Sequence, residues 1–345
     1  MTGLLQKGTV RAADGAPLLS VRGLNVRIPT PGGELHAVRG VNFDLRGGEV
    51  LGLVGESGSG KSVTLRALLR LHRPPVRMTG EVRYGGENLL TLPDARLREV
   101  RGGQISLIFQ EPMTALNPVL TVGEQIVENL REHKGLGGRA AQERAAELLD
   151  LTGIPSPRSR LADYPHQFSG GMRQRAMIAI ALASEPRLLL ADEPTTALDV
   201  TIQDQILRLL LRLRDELHMS IILVTHDLGV VAQACDRVAV MYGGALMETA
   251  GVNELFTRPR HAYSLGLLGS LPGSGAHRRP LLPIPGAPPD LRALPQGCAF
   301  APRCGYATAA CLGSEPPLIP VGLGHDSACV HHDRLAPSPL LEVSP

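Results

Sequence analysis

The segment Gly55-Glu56-Ser57-Gly58-Ser59-Gly60-Lys61-Ser62 follows an apolar run, Glu49 to Val54, and precedes a helical pattern from about Lys61 to Leu71. This is G-x-x-x-x-G-K-[ST] in the strand–turn–helix setting that the motif requires. Glycines let the backbone curl so that successive N–H groups face phosphate oxygens, and the helix N-terminus adds a favourable dipole. Lys61 supplies a compact charge for β- and γ-phosphates, and Ser62 a hydroxyl for Mg²⁺. A glycine-rich turn with a chance lysine is the bland alternative. A strand feeding such a loop into a helix commits the chain to βα crossovers and a mainly parallel sheet.

The rest of the chain agrees with that commitment. Strand-like segments recur at Ile105–Phe109, Arg187–Ala191, Ile221–Thr225 and Val238–Met241, separated by helical segments. Ahead of the loop, LLSVRGLNVRI and LHAVRGVNFDL alternate around the turn Pro31-Gly32-Gly33 and read as β-structure. Thr121 to about Ile154 has helical periodicity with mixed charge, which predicts a helical insertion over about 112–172. After about Pro272 the chain turns dense in Pro and Gly and runs into a cysteine-containing region.

Arg187–Glu193 is an apolar strand ending in two carboxylates. In a parallel sheet such an end opens toward the ligand crevice. Asp192 then serves Mg²⁺, and Glu193 polarises an attacking water as general base. In isolation Asp-Glu-Pro also reads as a solvated turn.

Composition narrows the function class. Formal net charge is +2, aromatic residues make up 3% and Trp is absent, none of which suits a nucleic-acid surface. Lysine occurs only at positions 7, 61 and 134. The apolar run Ala176–Ala183 is far short of the ~20 residues that cross a bilayer. The first seventeen residues lack the apolar core of a secretory signal and are expected to form a flexible tail.

Phe168-Ser169-Gly170-Gly171-Met172-Arg173-Gln174-Arg175 resembles the ABC signature LSGGQ, with Phe and Met replacing the outer Leu and Gln. Ser169 is placed to cap a helix beginning near Gly171, whose N–H groups then face an anion. By the resemblance, that anion is the γ-phosphate held by the opposite subunit, so each ATP lies between two chains. Gln110 matches the Q-loop glutamine, Thr196-Ala197-Leu198-Asp199 the D-loop, and His226 the switch histidine. Taken singly, Gln110 reads as a solvated residue after a strand, Asp199 as a helix cap and His226 as structural. Their order and spacing carry the resemblance. Where this family stacks adenine on an aromatic, the chain has Ile28, with His36 nearby.

GESGSGKSVT, FQEPMTALNP, FSGGMRQRAMIAIALA and LLLADEPTTALDVTIQDQIL resemble the oligopeptide/dipeptide (peptide/nickel) importer ATPases, first ATPase type. So do the tail segments RHAYSLGLLGSLP, LPIPGAPPDL and GCAFAPRC, and the resemblance spans roughly residues 18–332. It implies an α/β P-loop NTPase core of the ABC type at 18–259, with an N-terminal β-subdomain and the helical insertion. A C-terminal extension at 260–335 and a tail at 336–345 follow. It further implies a second homologous ATPase, two permease subunits, an extracytoplasmic substrate-binding protein, and a place on the cytoplasmic face of the membrane. A soluble ABC ATPase acting on nucleic acid or ribosomes is the competing class. These 345 residues, with one P-loop, show neither the long coiled-coil insertion nor the second ATPase domain expected of such proteins. An exporter ATPase is a third, against which the cysteine extension speaks.

Cys298, Cys304, Cys311 and Cys329 have the spacing C-x₅-C-x₆-C-x₁₇-C. Four thiolates on a Pro/Gly-rich scaffold suit tetrahedral zinc or an iron–sulfur cluster, though the paired C-x₂-C of common zinc sites is missing. Plain packing of small buried cysteines is the alternative. The family's extension is associated with a [4Fe–4S] cluster, and the resemblance extends that expectation to these four. Cys235 is expected to be a core residue.

Overall fold

A computed structural model describes residues 16–196, 198–271 and 283–338. The expected N-terminal tail at 1–17 and the C-terminal tail at 336–345 fall largely outside the described residues. So do Ala197 of the D-loop-like segment and part of the Pro/Gly-rich stretch.

The strands are β1 (Leu19–Thr30), β2 (Gly33–Leu45), β3 (Val50–Val54), β4 (Arg77–Tyr84), β5 (Glu87–Asn88) and β6 (Ile105–Ile108). They continue as β7 (Leu188–Asp192), β8 (Ser220–Thr225), β9 (Arg237–Tyr242), β10 (Ala245–Gly251), β11 (Ile319–Gly322) and β12 (His325–Ser327). Among the described residues they form two sheets. A four-stranded antiparallel sheet has the order β2-β1-β4-β5. An eight-stranded sheet has the order β11-β12-β10-β9-β3-β8-β7-β6, and its run from β9 to β6 is parallel.

Continuous apolar runs make the parallel strands, because both faces of such a sheet are covered. Successive side chains point to opposite faces, and the two cores divide accordingly. Leu51, Leu53, Leu188, Leu190, Ile222 and Val224 pack toward the small sheet and the helix Lys61–Leu68. Leu189, Ala191, Ile221 and Leu223 pack on the other side against Gly170–Leu182 and Val200–Leu217.

The periodic segment 121–154 is built mainly of two helices. Val122–Lys134 opens with a capping box: Thr121 Oγ1 accepts from Glu124 N, and Glu124 Oε2 accepts from Thr121 N. Gly135, at φ 66°, ends it, and Gly138–Leu151 follows. Among the described residues no helix is long and apolar enough to cross a membrane.

The C-terminal segment joins the main sheet. β12 pairs antiparallel with β10, Glu248 opposite Ser327 and Thr249 opposite Asp326, and β11 pairs with β12. A third core, built on Tyr242, Tyr263, Leu268 and Phe300, packs this segment onto β9 and β10.

Candidate active site: the nucleotide cleft

The parallel register decides which residues meet. Val54 stands opposite Thr225 and Asp192 opposite Val224, so β3, β7 and β8 end at one edge of the sheet. From that edge emerge the glycine loop, the Asp192-Glu193 pair and His226, as the strand-end rule for open α/β sheets requires.

The loop is shaped by contacts that admit no side chain. A Cβ on Gly55, at φ +148°, would lie 2.1 Å from Met241 O, and one on Gly60, at φ +102°, 2.6 Å from Ala37 O. Lys61 Nζ donates to Gly55 O at 2.7 Å and Glu56 O at 2.8 Å, holding the ammonium under the loop. Burial pushes its pKa down against the raising influence of Glu193, Asp192 and Glu56.

Ser62 Oγ donates to Asp192 Oδ1 at 2.7 Å. Asp192 Oδ2 is buried and makes no hydrogen bond; the nearest cation, Arg66, is 4.0 Å away. Burial accordingly raises the Asp192 pKa, opposed by Ser62 and Arg66. A hydroxyl beside a buried carboxylate oxygen without a partner is a donor set that suits a hard divalent cation.

Three groups converge on one oxygen of Glu193. Thr196 Oγ1 donates to Oε2 at 2.7 Å, Gln110 Nε2 donates to it at 3.2 Å, and His226 Nδ1 lies 3.3 Å from it. Glu193 itself sits at φ 46°, a left-handed conformation that costs a non-glycine residue about 1–3 kcal/mol. Its amide is fixed by donation to Val224 O at 3.0 Å. The strained backbone aims the carboxylate into a cleft walled by Gly55, Glu56, Ser57, Gln110 and His226.

The structure therefore brings together the loop Gly55–Ser62, Gln110, Asp192, Glu193 and His226. Ser169, Gly170 and Gly171 do not line this cleft. Ser169 caps Gly170–Leu182, its Oγ accepting from Met172 N at 3.3 Å. Gly171 packs by Ile202, where an added Cβ would lie a tight 3.1 Å from Ile202 Cγ2. Asp199 caps Val200–Leu217 through Ile202 N at 2.9 Å. Ile28 packs at the edge of the small-sheet core, and His36 Nε2 is engaged with Asn25 Oδ1 at 2.9 Å.

Sequence reasoning missed Thr196 as a site residue, although it quoted the segment. A threonine three residues after the carboxylate, where a turn begins, was the available signal. It also missed that Leu267 and Pro288, from the C-terminal segment, wall the cleft.

The cysteines come from distant places: Cys298 and Cys304 flank a short turn, Cys311 lies in the helix Ala310–Gly313, and Cys329 follows β12. All four line one small pocket of about 10 Å³ with His261, Phe300 and Ala301. Burial raises the thiol pKa values of Cys298 (to about 11), Cys304 and Cys329, and neighbouring cysteines add to each rise. Among the described residues no three His, Cys, Asp or Glu side chains stand close enough to hold a single metal ion. Cys235 is a half-buried cap at the end of Leu228–Ala234, packed against the core, and desolvation pushes its thiol up to about 12.

Residues 38–196 match the family model described as ABC transporter, and 247–311 that described as Oligopeptide/dipeptide transporter, C-terminal region. The oligopeptide transport ATP-binding protein OppD of Bacillus subtilis (strain 168) is 51% identical over 311 residues, 89% of this chain and 87% of that protein. OppD of Salmonella typhimurium (strain LT2) is 50% identical over 312 residues, 90% of this chain and 93% of that protein. Among solved structures, the dimeric ATP-binding cassette MJ0796 bound to ADP and Pi superposes with a TM-score of 0.61 at 30% identity. It covers 68% of this chain and 98% of the cassette. At that identity and coverage, the chain belongs to the ABC transporter ATP-binding proteins of the oligopeptide/dipeptide type.

Proposed function

We propose that this ATPase powers import of di- or oligopeptides, or related small solutes, from the cytoplasmic face of the membrane. The convergence of Gln110, Thr196 and His226 on Glu193 Oε2, beside the Ser62–Asp192 pair, carries the ATPase part of the reading. Half-identity to OppD proteins along nine-tenths of the chain supports the peptide part. Glu193 holds the attacking water, Lys61 and the loop amides hold the phosphates, and His226 lies near the γ-phosphate. Ser62 and Asp192, with Gln110, are the residues to hold Mg²⁺, which neutralises charge between the β- and γ-phosphates when bound.

Ser169, Gly170, Gly171 and Asp199 stand at helix N-termini outside the cleft, where they complete the site of a second, homologous ATPase. Two permeases and an extracytoplasmic binding protein make up the remaining partners, with no role for nucleic acid. The domain division follows the same reading: ATPase at 18–259 with the helical subdomain at about 112–172, and the extension at 260–335.

The four-cysteine cavity takes a [4Fe–4S] cluster in this proposal. Two features support the fit. The four thiols line one small pocket, and His261, fully buried, presents an Nε2 without a hydrogen-bond partner while its Nδ1 accepts from Tyr263 N. A buried N–H donor beside such a cavity suits sulfur acceptors, which is one lever on cluster potential. Anaerobic purification with iron and sulfide assays tests this; a colourless protein with neither removes the cluster.

Affinity purification from native membranes in mild detergent, with mass spectrometry, tests transport. Two permeases and a homologous ATPase are expected. Recovery only in the soluble fraction, with ribosomes or DNA, overturns the transport assignment and favours the soluble class.

A further inference from the structure

The phosphate loop is held from outside the ATPase core. Arg303 lies in the turn Ala301–Arg303, immediately before Cys304. Its guanidinium forks onto Glu56: NH1 donates to Oε2 at 2.6 Å and NH2 to Oε1 at 3.0 Å. The remaining donors are used as well, Nε to Pro285 O at 2.8 Å and NH1 to Tyr242 Oη at 3.2 Å. The arginine side chain is 6% exposed and the glutamate 25%, so this is not a solvated surface pair. A planar, bidentate match of this kind fixes geometry as well as charge.

Glu56 is gripped at every polar group it has. Its amide donates to Tyr263 Oη at 2.8 Å, its carbonyl accepts from Lys61 Nζ at 2.8 Å, and its carboxylate takes Arg303. Tyr263 and Arg303 both belong to the C-terminal segment. Arg303 also lies over the rings of Tyr242 and Phe300, 5.8 and 5.9 Å from their centroids. Tyr242, Tyr263 and Phe300 pack on one another at 4.6 to 5.3 Å. Phe300 in turn lines the cysteine cavity. A contiguous path therefore runs from the cavity through Phe300 and Arg303 to Glu56 and the loop.

We propose that Arg303 is a positioning residue of the nucleotide site, coupling the order of the four-cysteine cavity to phosphate binding. Phosphates compete with the Gly55 and Glu56 carbonyls for Lys61. The peptide between those residues is then held chiefly by Tyr263 and by the Arg303 fork. A loop kept in place binds nucleotide tightly; one released from the fork does not. Linkage makes the effect reciprocal, so bound nucleotide tightens the cavity. The inference rests on the ATP-site reading and is independent of what fills the cavity.

The test uses the full chain as purified, with MgADP as probe. Calorimetry gives the Kd, and mass spectrometry follows how fast iodoacetamide modifies Cys298, Cys304, Cys311 and Cys329, with Cys235 as internal reference. In the wild type, saturating MgADP is expected to slow modification of the four about tenfold, the size of a 1.4 kcal/mol coupling. Arg303→Gln is expected to weaken MgADP about tenfold and to abolish the protection. Arg303→Lys, which keeps charge but cannot fork, recovers only part of both. Glu56→Gln leaves Arg303 its carbonyl and tyrosine partners, keeps the fold, and is expected to uncouple in the same way. An Arg303 that merely braces the fold would lower melting temperature with Kd and protection intact. That result overturns the proposal, as does protection that survives in both variants. Iron and sulfide content, measured on the same samples, reports the cavity's occupant separately from the coupling.

Discussion

Ser62 Oγ donates to Asp192 Oδ1 across 2.7 Å, tying the first turn of the helix after the phosphate loop to the end of β7. The bond leaves Asp192 Oδ2 buried and without a hydrogen-bond partner. Asp192→Asn removes the charge that a cation needs while keeping the shape. MgADP and metal-free ADP are then expected to bind alike, whereas in the wild type Mg²⁺ strengthens binding about tenfold, the value of one charge-assisted contact. Calorimetry with and without EDTA decides it. A variant that still gains from Mg²⁺ would place the metal elsewhere.

Glu193→Gln is expected to keep nucleotide affinity and lose turnover by roughly 10²–10⁴-fold, the usual worth of a positioned general base. The phosphate cradle is untouched because neither Lys61 nor the loop contacts the Glu193 side chain through a hydrogen bond. Phosphate release under saturating MgATP is the measurement, and near-normal hydrolysis would refute the assignment.

Thr196→Val removes the shortest of the three contacts to Glu193 Oε2. Gln110 and His226 remain, so the carboxylate is loosened and not lost. One hydrogen bond of about 1–1.5 kcal/mol corresponds to kcat falling about tenfold. KM for ATP should stay within about twofold, since Thr196 makes no contact with the phosphate loop. A raised KM with unchanged kcat would give Thr196 a binding role instead.

The parts of this site that are contiguous in sequence were readable there. The loop, the β7 carboxylates and His226 each follow an apolar strand directly, and parallel strands of one sheet must end together. What the sequence did not disclose depends on chain returning from far away. Arg303 reaches Glu56 across 247 positions, and β12 reaches β10 only after the Pro/Gly-rich stretch. The cysteine spacing looked irregular because three separate pieces of backbone supply the thiols, so no local motif was available. Helical periodicity over 121–154 did not locate the break at Gly135, whose positive φ is a property of the fold and not of the pattern.

Gly55→Ala and Gly58→Ala separate close approach from backbone strain. Both glycines have positive φ, at +148° and +78°. A Cβ at Gly55 would strike Met241 O at 2.1 Å, whereas nothing lies within 4 Å of one at Gly58. Gly55→Ala is therefore expected to abolish nucleotide binding by displacing the loop from β9. Gly58→Ala pays only the left-handed penalty of about 1–2 kcal/mol and retains binding. Equal loss in both would mean that φ, and not contact with Met241, sets the loop.

Glu248 is fully buried, and its carboxylate accepts from Arg260 N at 2.6 Å, His261 N at 3.0 Å and His325 Nε2 at 2.7 Å. Those three donors come from the two ends of the C-terminal segment, so one side chain of β10 fastens both its entry and its return. Glu248→Ala leaves all three buried without an acceptor, a loss of about 3–5 kcal/mol by analogy with breaking a buried pair. For a chain of this size that lowers Tm by about 4–7 °C. The cysteine segment, detached from the sheet edge, should become the first site of limited proteolysis, while the core from β1 to β9 stays resistant. An unchanged Tm with an unchanged digestion pattern would show that β12 pairing and the Phe300 cluster hold the segment without Glu248.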